Sequence, residues 1–321
     1  AVLKGLVNAV ARKVATEGAD IWAVTPEAGA PEWLAAPLRE AFGDEALSGI
    51  EKAHAQDDPP LDLTLRQPED AEALASVLGA EVLPTGSLRL TRPGRITDLQ
   101  GYQDGRWWVQ DAAAAMPARL FGELSGVRAL DLCAAPGGKT MQLAAAGSQV
   151  TALDISNERL KRLRENLDRT GLEAQVICAD AQNWRPDAPF DAVLLDAPCS
   201  ATGTMRRHPD LPYLRNDADL PKLADLQRQL FDRAWEFVRP GGSLVYAVCS
   251  LLPMEGEAQV QAFRERHADV DQQRPDAPGL GLNANWIDED GGLRLRPDYW
   301  AERGGMDGFY AAVLQKRDSV A

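Results

Sequence analysis

Residues 130–140 have the sequence Leu-Asp-Leu-Cys-Ala-Ala-Pro-Gly-Gly-Lys-Thr, and they decide the fold that we expect for this chain. An apolar run that ends in an acid, a turn of small residues and a helix start together predict a strand, a tight loop and a helix. In such a loop the backbone can approach a ligand closely, and the free N–H groups of the first helical turn face that ligand. The stretch therefore predicts a binding loop for a nucleotide or a nucleoside.

Two common nucleotide-binding motifs do not fit this loop. The ending Gly138-Lys139-Thr140 is similar to a phosphate-binding P-loop, but Cys133 occupies the position where that loop needs a glycine. The G-x-G-x-x-G pattern of dinucleotide-binding folds is also missing, which argues against NAD and FAD. S-adenosylmethionine is the commonest ligand of a strand–loop–helix unit without a phosphate cradle, and we expect it here.

Three further apolar runs predict strands, and an acid follows each of them: Asp154, Asp180 and Asp196. At the carboxyl end of a parallel strand an aspartate can accept hydrogen bonds from both ribose hydroxyls, and this is the role predicted for Asp154. Asp180 is placed to reach the adenine amino group. Together these strands predict the ligand crevice of an open parallel sheet in an α/β, Rossmann-like fold.

The composition is that of a large globular protein without a metal. The chain has 321 residues, 45% of them hydrophobic, which allows roughly 75% of the unfolded surface to be buried. No apolar run approaches the ~18 residues of a membrane span and no segment resembles a secretion signal, so we expect a soluble, cytoplasmic protein. The four cysteines lack the spacing of metal ligands, and the three histidines lie in unrelated contexts.

The charge pattern bears on RNA binding. A formal net charge of −14 is unusual for nucleic-acid-binding proteins, most of which carry a basic excess. However, arginines are concentrated in two stretches, and if these converge an acidic protein can still carry one basic face. The alternative is that they are solvated surface residues. The candidate RNA contacts are Arg89, Arg92 and Arg95 in the first stretch and Arg206 and Arg207 in the second.

Three longer motifs occur in order along the chain: residues 131–140, Asp-Ala-Pro-Cys-Ser-Ala-Thr-Gly over 196–203 and Tyr-Ala-Val-Cys-Ser over 246–250. They resemble the motifs of the RNA 5-methylcytosine methyltransferases of the RsmB/NOP family, and the resemblance covers about residues 1–315. Residues 206–210, Arg-Arg-His-Pro-Asp, are most similar to the members that act on 16S rRNA. The resemblance implies methyl transfer from S-adenosylmethionine to C5 of a cytosine in 16S rRNA.

The same resemblance implies three regions. Residues 1–55 are expected to be a helical segment, the tail of a NusB-like domain plus linker helices. Residues 56–108 are expected to form a small α+β, RNA-recognition-like subdomain that either contacts RNA or serves as a structural lid. Residues 109–321 are expected to form the S-adenosylmethionine-dependent methyltransferase domain. Trp107 and Trp108 could stack on a base, but we expect them to be buried anchors between two domains.

The resemblance also implies covalent catalysis, because cytosine C5 is too weak a nucleophile to take a methyl group unaided. A thiolate that adds to C6 converts the ring to an enamine and divides a hard step into easier ones. The implied catalytic residues are Cys249 as nucleophile, Cys199 as the thiol that assists product release, Asp196 as the partner of ring N3, and Lys139, which orients Asp196 or lowers a thiol pKa. The implied cofactor contacts are Cys133, Ala134, Ala135, Pro136, Gly137, Gly138, Lys139, Asp154, Asp180 and Asp196. A free cysteine is usually a small buried hydrophobic residue, which is our prediction for Cys178.

Two positions depart from the family pattern. Val248 stands where a threonine usually precedes the nucleophile, and Gly256 replaces the asparagine of a Pro-x-Glu-Asn-Glu segment. We expect both departures to affect rate or cleft geometry rather than reaction type. Two other functions stay open, a tRNA cytosine-C5 methyltransferase and a non-catalytic RNA-binding ribosome assembly factor. In each case we expect a monomer.

Overall fold

The computed structural model describes residues 3–24, 29–56 and 58–318, with only the backbone described at Trp22. The chain forms two compact units, residues 1–30 and 31–321. The first contains helix α1 (Lys4–Val24), which confirms the helix that we expect near the start of the chain, although residues 1 and 2 lie outside the described part. The division of the chain at residues 55 and 108 stays a prediction.

The second unit begins with helix α2 (Glu32–His54), which packs Leu34, Leu38 and Ile50 into the core. The helix is bent at Gly43, where φ is +83°. A residue without a Cβ adopts this backbone conformation at little cost, so glycine permits two helical segments to meet at an angle here. The linker helices predicted for this region therefore form a single bent element.

A small antiparallel sheet follows. Its elements are β1 (Leu61–Leu65), α3 (Ala71–Leu78), β2 (Glu81–Val82), β3 (Leu88–Leu90) and β4 (Trp107–Val109). The strand order is β2-β3-β1-β4. The edge strand β4 is the last strand of the small sheet along the chain, and the larger sheet follows it. The α+β character predicted for this part of the chain is confirmed.

The larger part of the unit is built on an eight-stranded sheet. Its strands are β5 (Arg128–Leu132), β6 (Gln149–Asp154), β7 (Gln175–Cys178), β8 (Phe190–Asp196), β9 (Val238–Val248), β10 (Val270–Gln273), β11 (Leu293–Leu295) and β12 (Phe309–Lys316). Helices α4 (Met116–Arg119), α5 (Gly138–Ala145), α6 (Asn157–Thr170), α7 (Leu211–Leu214), α8 (Leu220–Phe237) and α9 (Glu257–Arg266) connect or cover them.

The order of this sheet creates a ligand crevice. It is β10-β12-β9-β8-β5-β6-β7, with β11 paired to β12, and the strands from β9 to β7 are parallel. The chain runs outward from β5 through β6 to β7 and then returns to the other side of β5 with β8. Ligands of open α/β sheets bind outside the carboxyl ends of the strands at such a switch point.

Two neighbouring tryptophans link the two sheets. Trp107 is fully buried among the leucines of the small sheet, whereas Trp108 packs with Ala134 of the glycine-rich loop, Met141 of α5 and Leu163 of α6, beside the large sheet. Successive residues of a strand point to opposite faces, so the Trp-Trp pair at the start of β4 contributes one ring to each core. This confirms the expected role of the pair as buried anchors.

One local prediction needs correction, and one segment of turn-like composition lies inside a strand. Residues 240–242, Pro-Gly-Gly, form a bulge within β9, because the partner register jumps from Val238 to Ser243 while β8 advances only from Phe190 to Ala192. Cys178 is exposed rather than buried. The reason is topological, since β7 is the edge strand of the sheet and an edge strand has a neighbour on one side only.

Candidate active site

The predicted catalytic side chains meet at the carboxyl ends of adjacent strands. Asp196 ends β8, Cys249 follows β9, and Lys139 lies in the first turn of α5, directly after the glycine-rich loop. The Lys139 Nζ donates a hydrogen bond of 2.8 Å to Asp196 Oδ2. The Lys139 side chain is 10% exposed and that of Asp196 is 29% exposed, so the pair joins a buried cation to a carboxylate at the edge of solvent. Burial opposes the charge of Lys139, but Asp196 outweighs it and raises the pKa of the ammonium group.

The two predicted thiols are in contact. The Sγ atoms of Cys199 and Cys249 are 3.4 Å apart, and both residues are partly buried. Contact with Cys249 and burial both raise the pKa of the Cys199 thiol above its ordinary value. Cys249 also interacts electrostatically with two cations, Lys139 and Arg207. Nearby cations favour the thiolate, which is the reactive form of cysteine.

The glycine-rich loop takes a compact, left-handed turn. Cys133 has φ +60° and Gly137 has φ +105°, and the peptide bond between Ala135 and Pro136 is cis. Leu163 lies 2.9 Å from the position of a Cβ at Gly137, so a side chain at that position would collide with α6. Only glycine meets both the backbone and the packing requirement here.

Asp154 at the end of β6 holds a backbone group of this loop, whereas Asp180 after β7 holds groups of its own segment. Asp154 is buried and accepts hydrogen bonds from the backbone N–H groups of Ala135, at 3.1 Å, and Ser156, at 2.8 Å. Asp180 accepts from the Gln182 backbone N–H. Asp154 therefore couples the end of β6 to the glycine-rich loop. The predicted contacts of Asp154 and Asp180 with a cofactor stay predictions.

A cavity of about 590 Å³ opens beside these groups. Asp131 lines it and is fully buried; its Oδ2 accepts 2.5 Å from Thr140 Oγ1, whereas its Oδ1 has no hydrogen-bond partner in the described part of the chain. Burial raises the pKa of Asp131 to about 7. An unsatisfied buried oxygen costs free energy unless a ligand or water satisfies it. Sequence reasoning treated Asp131 only as the end of a strand, although its position in the loop motif was a usable signal.

The structure separates the candidate RNA-binding arginines into two classes. Arg92 and Arg95 are exposed in the loop that precedes β4, and the neighbouring Ile96 and Thr97 line the cavity. Arg207 also lines the cavity and its side chain is 40% exposed. Arg92 and Arg95 are therefore available to a polyanion near the cavity, whereas the Arg207 guanidinium already pairs with the buried Asp307 and offers only its exposed part.

Arg89 and Arg206 are buried, and their prediction as RNA contacts is wrong. The Arg89 guanidinium forms a two-pronged ion pair with Asp62, at 2.7 Å for each hydrogen bond. Arg206 is held between Asp111 and Asp307, with Nε 3.1 Å from Asp307 Oδ1. A guanidinium group can form two parallel hydrogen bonds with a carboxylate. Buried acids therefore bind these two arginines, which the sequence pattern assigned to the surface.

Comparison with known proteins places this site in a family. The family model described as "16S rRNA methyltransferase RsmB/F" matches residues 124–315. The chain belongs to the RsmB/F family. Ribosomal RNA small subunit methyltransferase B of Vibrio cholerae is 40% identical over 98% of this chain and 73% of its own length, and the Escherichia coli K12 protein of that name is 37% identical over 98% and 74%. A methyltransferase homologue from Pyrococcus horikoshii superposes with a TM-score of 0.72 at 25% identity over 88% of this chain and 93% of that one.

RsmB/F membership confirms two of the expectations above. The fold is the Rossmann-like type of S-adenosylmethionine-dependent methyltransferases with a smaller α+β subdomain, and the chain is a methyltransferase. None of the helices in the described part of the chain has the length and apolarity that a bilayer crossing requires.

Proposed function

We propose that the chain transfers a methyl group from S-adenosylmethionine to C5 of a cytosine in 16S rRNA through a covalent bond between Cys249 and C6. The observation that carries this proposal is the contact of 3.4 Å between Cys199 and Cys249, beside the Lys139–Asp196 pair. The family description and the names of the relatives support rRNA as the substrate.

Each polar group of the site has a role in this chemistry. Lys139 and Arg207 stabilise the Cys249 thiolate, which adds to C6 and moves electron density to C5. Asp196 holds a proton at ring N3 and so compensates the charge that develops there. After methyl transfer the Cys199 thiol passes its proton to the departing Cys249 sulfur and takes up the C5 proton in its place. The electron pair of the C5–H bond re-forms the C5–C6 double bond as the bond between Cys249 and C6 breaks, so both cysteines end as thiols.

The residues around the loop fit S-adenosylmethionine. When bound, this cofactor supplies the methyl group of its sulfonium centre. Its ammonium and ribose hydroxyl groups are donors, which suits the unsatisfied Oδ1 of Asp131 and the acids Asp154, Asp180 and Asp196. The backbone of residues 133–139 can approach the cofactor closely because the turn contains Gly137 and Gly138, which have no side chains. We therefore assign the cofactor to these groups.

A methyl-transfer assay tests the proposed function. We expect label from S-adenosylmethionine to be transferred to 16S rRNA and, after nuclease digestion, to be recovered as 5-methylcytidine. Cys178→Ala is the matched control, because Cys178 is an exposed cysteine on the edge strand and should leave the rate unchanged. Label in bulk tRNA but not in 16S rRNA would favour the tRNA alternative, and absence of transfer to both RNAs would favour an assembly factor.

The exposed arginines should contribute to RNA affinity and the buried ones to stability. We expect Arg207→Ala to weaken RNA binding by about tenfold and to lower the salt slope by about one, because one phosphate contact is lost. Arg239→Ala is the control, since Arg239 is an exposed, aspartate-paired arginine at the amino end of β9. Filter binding over a salt series measures both quantities.

Arg89→Ala tests whether a buried arginine contributes to stability rather than to RNA binding. It should lower the free energy of unfolding by about 3–5 kcal/mol because Asp62 is left buried without its cation. RNA affinity of the folded variant should stay unchanged. A variant that keeps its stability and loses RNA affinity would contradict the assignment of Arg89 to the core.

A further inference from the structure

Glu255 is a fully buried carboxylate to which sequence analysis assigned no role. Its Oε1 accepts hydrogen bonds of 2.9 Å from the Ser200 backbone N–H and from Gln227 Nε2. Its Oε2 accepts 2.5 Å hydrogen bonds from the hydroxyls of Ser200 and Ser250. Each carboxylate oxygen thus accepts two hydrogen bonds, from the two loops that carry Ser200 and Ser250 and from Gln227 in α8.

The two serines are the residues that directly follow the two cysteines. One carboxylate therefore ties the loop after β8, which carries Cys199, to the loop after β9, which carries Cys249. Thr202 adds a cross-link, because its Oγ1 lies 3.2 Å from Ser250 Oγ and accepts from the Leu251 backbone N–H at 3.0 Å. The contact between the thiols rests on this buried network.

Resting on the proposed function, we propose that Glu255 is the positioning residue of the thiol pair: its carboxylate holds Cys199 and Cys249 together, and its negative charge keeps Cys199 in the thiol form.

The distribution of charge around the pair supports this assignment. Glu255 interacts electrostatically with Cys199 and contributes to the raised pKa of that thiol, after the contact with Cys249 and burial. Tyr246, whose hydroxyl donates 2.6 Å to the Glu255 backbone carbonyl, also interacts electrostatically with Cys199. Cations face the other thiol. They are Lys139, paired with Asp196, and Arg207, paired with Asp307.

Gly256, the residue after Glu255, also contributes to the packing around the Cys249 loop. A Cβ at Gly256 would lie 2.7 Å from Arg294 Nη2 and 2.8 Å from the Tyr310 ring. Arg294 in turn donates 2.6 Å to the Ser250 backbone carbonyl. The absence of a side chain at Gly256 thus leaves room for Arg294, which holds the Cys249 loop from the other side.

Alkylation of the two thiols tests the proposal without any methyl transfer. The protein is treated with iodoacetamide from pH 6 to pH 10, and the modification of each cysteine is followed by mass spectrometry. In the wild type we expect Cys199 to react slowly until the pH exceeds the range of an ordinary thiol, because its pKa is raised. In Glu255→Gln we expect Cys199 to react about tenfold faster at pH 8, the effect of about one pKa unit. Glu265→Gln, an exposed acid on α9, is the control for the change of charge and should match the wild type.

Separate outcomes overturn the two parts of the proposal. The charge assignment is overturned if Cys199 in the wild type reacts over the pH range of an ordinary thiol, or if folded Glu255→Gln keeps the wild-type pH profile at Cys199. If Glu255→Gln does not fold, Ser200→Ala/Ser250→Ala, which keeps the carboxylate, tests the positioning role. In that variant we expect Cys199 still to react slowly over the pH range of an ordinary thiol and diamide to oxidise the pair to a disulfide several-fold more slowly; an unchanged oxidation rate would overturn the positioning role. These readouts stay informative even if the RNA substrate is not the proposed one.

Discussion

Cys249→Ala is expected to abolish methyl transfer to 16S rRNA, whereas Cys199→Ala is expected to retain the addition step and to accumulate a protein–RNA adduct. Cys249 lies beside the cations Lys139 and Arg207, which favour the nucleophilic thiolate. Without that thiolate, C5 cannot gain the electron density that methylation requires. Without Cys199, the bond between Cys249 and C6 forms but breaks slowly.

A denaturing gel distinguishes the two roles. Each variant is incubated with 16S rRNA and S-adenosylmethionine, and RNA that stays attached to the protein after denaturation marks the adduct. Cys178→Ala again serves as the control with a cysteine far from the thiol pair in the strand order. An adduct in Cys249→Ala instead would show that the roles of the two cysteines are reversed. The geometry alone does not decide between them, because the two Sγ atoms are only 3.4 Å apart.

The fold could be predicted from the sequence because its signals are local. The strand–loop–helix pattern of residues 130–140 and the apolar runs that end in Asp154 and Asp196 identify strands of the parallel sheet. The bulge at residues 240–242 could not be predicted in this way, since a Pro-Gly-Gly segment has the composition of a turn and the continued pairing of β8 with β9 decides otherwise.

The arginines show where local reasoning ends. Nothing near Arg89 or Arg206 in the sequence predicts burial, because their acidic partners Asp62, Asp111 and Asp307 lie 27, 95 and 101 residues away. A long-range ion pair depends on which loops the fold brings together. The same limit applies to Glu255, whose importance becomes visible only when Ser200 and Ser250 meet on it.

Substitution of Asp196 should lower the free energy of unfolding more than substitution of its partner Lys139. Asp196→Asn leaves a buried ammonium group without its counter-charge, and we expect it to lower the free energy of unfolding by about 3 kcal/mol. Lys139→Met should cost less, because Asp196 is nearer to solvent and the thioether can pack on the Phe309 ring, which the Lys139 ammonium now faces at 5.1 Å. Urea unfolding measures both values.

Both substitutions should reduce methyl transfer to a similar extent, by roughly 10²–10⁴-fold, because a proton held at N3 depends on the pair as a unit. For the same reason the double variant should be scarcely slower than either single variant. The exposed Arg239–Asp191 pair at the opposite end of the sheet supplies the control, where Arg239→Met and Asp191→Asn should each change stability by less than about 1 kcal/mol and leave the rate intact. If the rate loss of the double variant equalled the product of the two single losses, Lys139 and Asp196 would act independently. The role of Lys139 would then be to stabilise the Cys249 thiolate and not to orient Asp196.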